Sequence, residues 1–218
     1  MLTSPRTHPQ VDTGLEERRT PEYTLEIFAD RPLVKDVVKA ILHTIFFHRY
    51  FTPLKPATHD VLDTTLPYVT DIDLETLVDQ RANALARQLD VSPTSSTQPS
   101  PPYGQKQRAD GGRGQLVLQF MEKRRRKGWF GGKADEELVW ETWVLDVTLA
   151  SPRTETEAIK VRKAMEKSLQ KTAMKIITIV NRDKNHIPPI TTNESNPFPY
   201  QILVNPRNDG WGQRMGIF

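Results

Sequence analysis

Two stretches with apolar residues at every second position, Leu116-Leu118-Phe120 and Val139-Trp143-Leu145-Val147-Leu149, bracket the middle of the chain. A period of two specifies β-strands that turn one face toward a core. Between them lie the basic run Lys123, Arg124, Arg125, Arg126 and Lys127 and then Gly128, Trp129, Phe130, Gly131 and Gly132. Strand, glycine-rich connection, strand reads as a hairpin, and any fold for this chain must accommodate it. The connection spans roughly sixteen residues, more than turning the chain requires. Trp129 and Phe130 at its tip call for a reason, since large aromatics are costly to leave in water. Two readings stand: the rings fold back on the protein's own sheet, or they are presented to a partner, which the flanking glycines favour.

The other elements follow from periodicity. Residues 1–20 mix Pro, Thr, Glu and Arg with little apolar content and are expected to form a disordered arm. Tyr23, Leu25 and Ile27 alternate into a first strand. Asp30 is placed to cap a helix with Pro32 in its first turn. Leu33, Val37, Ile41 and Ile45 form one row of that helix and Val34, Val38, Leu42 and Phe46 the next, a wide apolar face. Lys35, Lys39 and His43 are assigned to the opposite, solvated face. Residues 51–70 contain Pro53, Pro56 and Pro67 and read as a connection with an edge strand ending at Tyr68 and Val69.

Thr70, Asp71 or Asp73 opens a second amphipathic helix carrying Leu74, Leu77, Val78, Ala82, Leu85 and Leu89. Residues 91–114, rich in Ser, Thr, Pro, Gln and Gly, are expected to be a mobile insert in which Ser92, Ser95, Ser96 and Ser100 are accessible. Thr154 and Glu157 have capping-box spacing and open the longest helix. Its apolar positions recur from Val161 to Val180, so it ends near Asn181 or Arg182, with the charged face from Arg162 to Lys171 solvated. Tyr200 to Val204 forms a last strand. The order strand, helix, helix, hairpin, long helix, strand describes an α+β fold, three main helices on one antiparallel sheet, in a single domain over 21–218.

Composition narrows the chemistry. A chain of 218 residues suits one domain, and without cysteine there is neither a disulfide framework nor a thiolate nucleophile. The five histidines show no metal-ligand spacing, and Gly111, Gly112 and Gly114 precede a strand rather than the helix a phosphate loop needs. Asp135, Glu136 and Glu137 read as balancing the basic run or keeping a loop soluble, since no second acidic cluster completes a metal or acid-base site. No catalytic residue, metal or cofactor is therefore expected, and the protein is read as a non-enzyme. A net charge of +3 does not indicate nucleic-acid binding. No run approaches the roughly 20 apolar residues of a membrane span.

Several segments resemble one family. Leu25 to Arg49, with the run Ala-Ile-Leu-His-Thr-Ile-Phe-Phe-His-Arg over 40–49, is similar to the opening strand and helix of the autophagy-related protein 101 family, which has the HORMA fold. Lys123 to Phe130 looks like that family's basic stretch and protruding Trp-Phe finger. Trp140-Glu141-Thr142-Trp143 resembles the strand after it, and Thr154 to Arg182 the long third helix. The short ending after Pro206 is similar to that of fungal members.

The resemblance implies a non-catalytic subunit of the autophagy-initiating kinase complex, cytoplasmic and recruited to the autophagosome assembly site. It would pair with and stabilise the HORMA domain of autophagy-related protein 13. Trp129 and Phe130 would recruit downstream autophagy factors. A second reading is peripheral membrane contact, with Lys123, Arg124, Arg125, Arg126 and Lys127 meeting an anionic membrane surface as the two rings enter the interface. A C-terminal segment that embraces a partner peptide is a further reading, made less apt by the short last strand.

Overall fold

The computed structural model describes residues 20–53, 55–90, 112–125, 135–191 and 196–206, and of Arg125 and Asp135 the backbone alone. In chain order the elements are β1 (Glu22–Asp30), α1 (Val34–Arg49), β2 (Ala57–Val61), β3 (Thr64–Tyr68), α2 (Ile72–Asp90), β4 (Arg113–Arg125), β5 (Asp135–Ala150), α3 (Glu155–Arg182) and β6 (Tyr200–Val204). The α+β class expected from the sequence is the one observed, and the arrangement is consistent with a HORMA-like fold. Four strands form the main sheet in the order β1-β5-β4-β6, and β2-β3 form a separate hairpin.

The main sheet is mixed rather than wholly antiparallel. β4 pairs antiparallel with both β5 and β6, whereas β1 runs parallel to β5, Glu22 opposite Thr142 through Asp30 opposite Ala150. No tight turn joins β1 to β5; α1, α2 and β4 intervene, so nothing forces the antiparallel direction that a hairpin would impose. Residues 51–70 likewise hold more strand than the single edge piece expected. Ala57 pairs with Tyr68 and Val61 with Thr64 across a turn at Leu62, whose φ of 54° is left-handed.

α1 is the centre of the molecule. Val37, Val38, Ile41, Leu42, Ile45 and Phe46 are all buried, as their two rows predicted, but so are Ala40, His43 and Thr44 on the remaining face. The helix is enclosed because the sheet covers one side while α2, α3 and the β2–β3 hairpin take up the rest. His43 therefore lies in the core and not on the solvated face. Lys35 and Lys39 do reach the rim, where both engage Asp79 of α2 at 3.0 and 2.8 Å. Asp30 serves the entry to α1 by accepting from the Leu33 N–H at 3.1 Å.

Asp71, one of three candidates, caps α2 by accepting from the Leu74 N–H at 2.9 Å. At the far end of α2 the chain of β4 passes very close. A Cβ on Gly112 would stand 2.8 Å from the Leu89 carbonyl oxygen, and one on Gly114 2.7 Å from Leu85 Cδ1. These glycines serve close approach, and since β4 begins at Arg113 the last two residues of the expected 91–114 insert are strand. Residues 91–111 and the arm before Thr20 lie outside the described residues.

α3 opens as its spacing predicted. Thr154 Oγ1 accepts from the Glu157 N–H at 3.2 Å, and Glu157 reaches back to the N–H of Arg153 at 2.8 Å, one residue earlier than a standard capping box. The helix ends at Arg182, with Met165, Leu169, Ala173, Ile176 and Val180 buried and Arg162, Lys163, Lys167 and Lys171 exposed. Two side chains of α3 also close the free edge of β1: Thr172 Oγ1 donates to the Glu26 carbonyl at 3.2 Å and Lys175 Nζ to that of Thr24 at 2.7 Å. That edge is thereby withdrawn from strand addition.

Candidate functional site: the hairpin arm and its base

β4 and β5 are far longer than their sheet neighbours, and the excess lies at one end. β1 pairs with β5 only from Thr142 onward, and β6 pairs with β4 only over Leu116 to Phe120. Past Met121 and Val139, which touch Pro199 and Thr20, the strands pair with each other alone among the described residues. Glu122–Arg125 and Asp135–Leu138 thus form a two-stranded arm that leaves the sheet, about 13 Å long at the usual rise per residue. The connection is accordingly shorter than the sequence suggested, nine residues, 126–134, rather than roughly sixteen. Trp129, Phe130, Arg126 and Lys127 fall in it, outside the described residues.

The register of the arm sets unlike charges opposite one another. In the arm Lys123 stands opposite Glu137, Arg124 opposite Glu136 and Arg125 opposite Asp135. Opposed residues of unlike charge, here Lys123 with Glu137 and Arg124 with Glu136, favour the pairing of a segment whose own β-propensity is poor. Arg124 also pairs with Glu122 on its own strand at 2.5 Å. The arm carries a basic strand beside an acidic one, and the acidic cluster read as a counterweight is one by register.

The base of the arm is fixed by a bulge. Phe120 is opposite Glu141 and Met121 opposite Val139, so Trp140 has no partner of its own. A bulge re-aims side chains. Trp140 and Glu141, neighbours in sequence, both reach the helix-covered side: Trp140 packs near Phe120, Phe198 and His186, with centroids at 5.6, 5.2 and 5.7 Å. The extra residue also reverses parity beyond it. Val139, expected to share a face with Trp143, instead lines a cleft of about 510 Å³ on the other face with Thr142 and Val144.

Glu141 is the hub of a buried polar network. It is fully buried and accepts both contacts of Arg49 Nε at 2.9 Å, a contact of His186 Nε2 at 2.6 Å, and the indole N–H of Trp143. Arg49, 3% exposed, ends α1 and also donates to the Asp183 carbonyl at 3.1 Å. Asp183 in turn accepts from Tyr23 Oη at 3.1 Å. Arg182 beside it holds the Asp183 carboxyl down at about 2, while burial and Asp183 push the Tyr23 phenol up to about 12. One carboxylate thereby ties α1, β5 and the segment after α3 together beneath the arm. The sequence placed Arg49 and Glu141 within resembling segments but assigned them no role; a charge closing an apolar helix and a Glu between two tryptophans were the available signals. His186 had none.

His43 and His48 hold no carboxylate or nucleophile in the manner of a general base. His43 accepts from the Val69 N–H at 3.4 Å and stacks on Tyr68 at 4.0 Å, and burial lowers its pKa to about 4. Burial lowers His48 as well. Among the described residues no group of three or more His, Cys, Asp or Glu is placed to hold a metal, and no helix is long and apolar enough to cross a membrane. The buried polar atoms without a partner, His43 Nε2, Thr64 Oγ1 and Trp140 Nε1, belong to residues that line neither the cleft beside Val139 nor a second near Lys171 and Lys175.

The sequence model of the family described as autophagy-related protein 101 matches residues 26–194. An autophagy-related protein 101 of Schizosaccharomyces pombe is 28% identical over 190 residues, 87% of this chain and 89% of its own length. The protein of that name from Arabidopsis thaliana is 24% identical over 197 residues, covering 81% and 82%. That of Xenopus tropicalis is 25% identical over 171 residues, covering 77% and 75%.

Proposed function

The chain belongs to the autophagy-related protein 101 family, and on that premise we propose that it is a non-catalytic subunit of the autophagy-initiating kinase complex. It pairs with the HORMA domain of autophagy-related protein 13, stabilises it, and recruits downstream autophagy factors through Trp129 and Phe130. It acts from the cytoplasm at the autophagosome assembly site.

The observation that carries this reading is the arm. Two strands leave the sheet with no third strand beside them among the described residues, and the nine residues between their ends contain both aromatics. Aromatic side chains delivered into a pocket on another protein are typical anchors of binding energy. The bulge and the buried Arg49–Glu141 pair lie at the base of the arm. The pairing is tested by thermal unfolding of the partner's HORMA domain with and without this chain. A ligand that binds only the folded state raises its stability by mass action, so the melting temperature rises with added chain; no rise rejects the pairing.

The five consecutive basic residues support a second reading, contact with an anionic membrane surface. Such residues contribute about 1 kcal/mol each near the surface. Against it stands the register, which sets an acidic residue opposite each of the first three. Flotation with anionic liposomes at low and high salt separates the two readings: lipid contact requires binding at low salt that salt abolishes, and the adaptor reading expects none at either.

A further inference from the structure

The sequence holds six Ser-Pro or Thr-Pro dipeptides, beginning at Ser4, Thr20, Thr52, Ser92, Ser100 and Ser151. Of these, Thr52 alone has a cation three residues on, in Thr52-Pro53-Leu54-Lys55. Proline at the next position and a basic residue at the third is the substrate pattern of cyclin-dependent-type protein kinases. The proline biases the residue before it toward the extended backbone such a site requires.

The segment lies between the end of α1 at Arg49 and the start of β2 at Ala57, in irregular chain, with Pro53 and Lys55 exposed and Thr52 half-buried. Its neighbours form a latch. Thr52 stands two residues after Tyr50, beside that ring in the chain. Tyr50 Oη donates to Asp71 Oδ2 at 3.1 Å, and its ring packs edge-on against Phe46 and Tyr200. Asp71 is the cap of α2.

We propose that Thr52 is a phosphorylation site for a proline-directed kinase of this class, and that the phosphate releases the Tyr50–Asp71 latch at the corner between α1 and α2. In the transfer the Thr52 oxygen attacks the γ-phosphorus of ATP, the new P–O bond forms as the bond to ADP breaks, and the hydroxyl proton passes to the kinase's carboxylate base. The product carries a charge of about −1.5 to −2 at neutral pH. Tyr50 already feels the charges of Asp71 and Asp73, so the new anion enters a negative neighbourhood. Like-charge repulsion opposes the latch, and Asp71 is drawn off the first turn of α2.

The test uses the full chain, a cyclin-dependent kinase and Mg-ATP, with the site mapped by mass spectrometry and amide hydrogen exchange followed at Leu74 and Glu75. Phosphate is expected on Thr52, several-fold more slowly in Lys55→Ala, and exchange at those two amides is expected to quicken on phosphorylation of the wild type and stay unchanged in kinase-treated Thr52→Ala. Absence of phosphate at Thr52, an undiminished rate in Lys55→Ala, or unchanged exchange in the phosphorylated wild type would overturn the proposal.

Discussion

His43 has no solvent exposure and sits between Tyr68 and the Val69 N–H. Its pKa is about 4 in the folded chain against 6.5 for an ordinary histidine. Between those values the unfolded chain binds one proton more than the folded one, so stability rises with pH across the window and is lost on acidification through it. The full difference is worth about 3 kcal/mol. Urea unfolding at pH 7 and pH 5 should show the loss in the wild type, and His43→Gln should flatten it. Glu141 poses the opposite problem, a charge kept in the core by its partners. Glu141→Leu leaves Arg49 buried and unpaired and should cost about 3 to 5 kcal/mol, whereas adding Arg49→Met should recover much of that, because a buried ion pair is expensive chiefly when half of it is removed. Urea midpoints of the two single variants and the double variant read this directly.

At the scale of elements, α3 stands on its cap. Thr154→Ala removes the acceptor of the Glu157 N–H and should lower stability by about 1 kcal/mol, seen as a shift in the urea midpoint with unchanged slope. That helix was legible because capping spacing and the row from Val161 to Val180 are local signals. So were β1, α2, β6 and the two rows of α1. What was not legible depends on contacts distant in sequence. The burial of His43 follows from the β2–β3 hairpin closing over a helix face that periodicity alone assigns to solvent. The parallel pairing of β1 follows from which strand its edge meets, and no residue of β1 encodes that partner. The bulge at Trp140 hides in an otherwise regular alternation and carries Val139 to the opposite face. The arm was read as loop because Lys123, Arg124 and Arg125 are poor strand formers. Only the pairing register, set by contacts across the hairpin, brings them opposite Glu137, Glu136 and Asp135. Of the candidate site, the sequence reached the aromatics and the basic run but not the anchor beneath them.

For the whole molecule, the core around α1 and the buried network at Glu141 form one body, and the arm is the part that leaves it. The proposed recruitment through Trp129 and Phe130 is thereby expected to be separable from folding and from the proposed pairing. In the proposed function Trp129 and Phe130 act outward on a partner and do not serve the core. Quantitative co-purification from cells of the Trp129→Ala, Phe130→Ala double variant tests this in one experiment. The account predicts that the HORMA domain of autophagy-related protein 13 is retained at the wild-type level while the downstream autophagy factors are lost; retention of both, or loss of both with an unfolded chain, would contradict it.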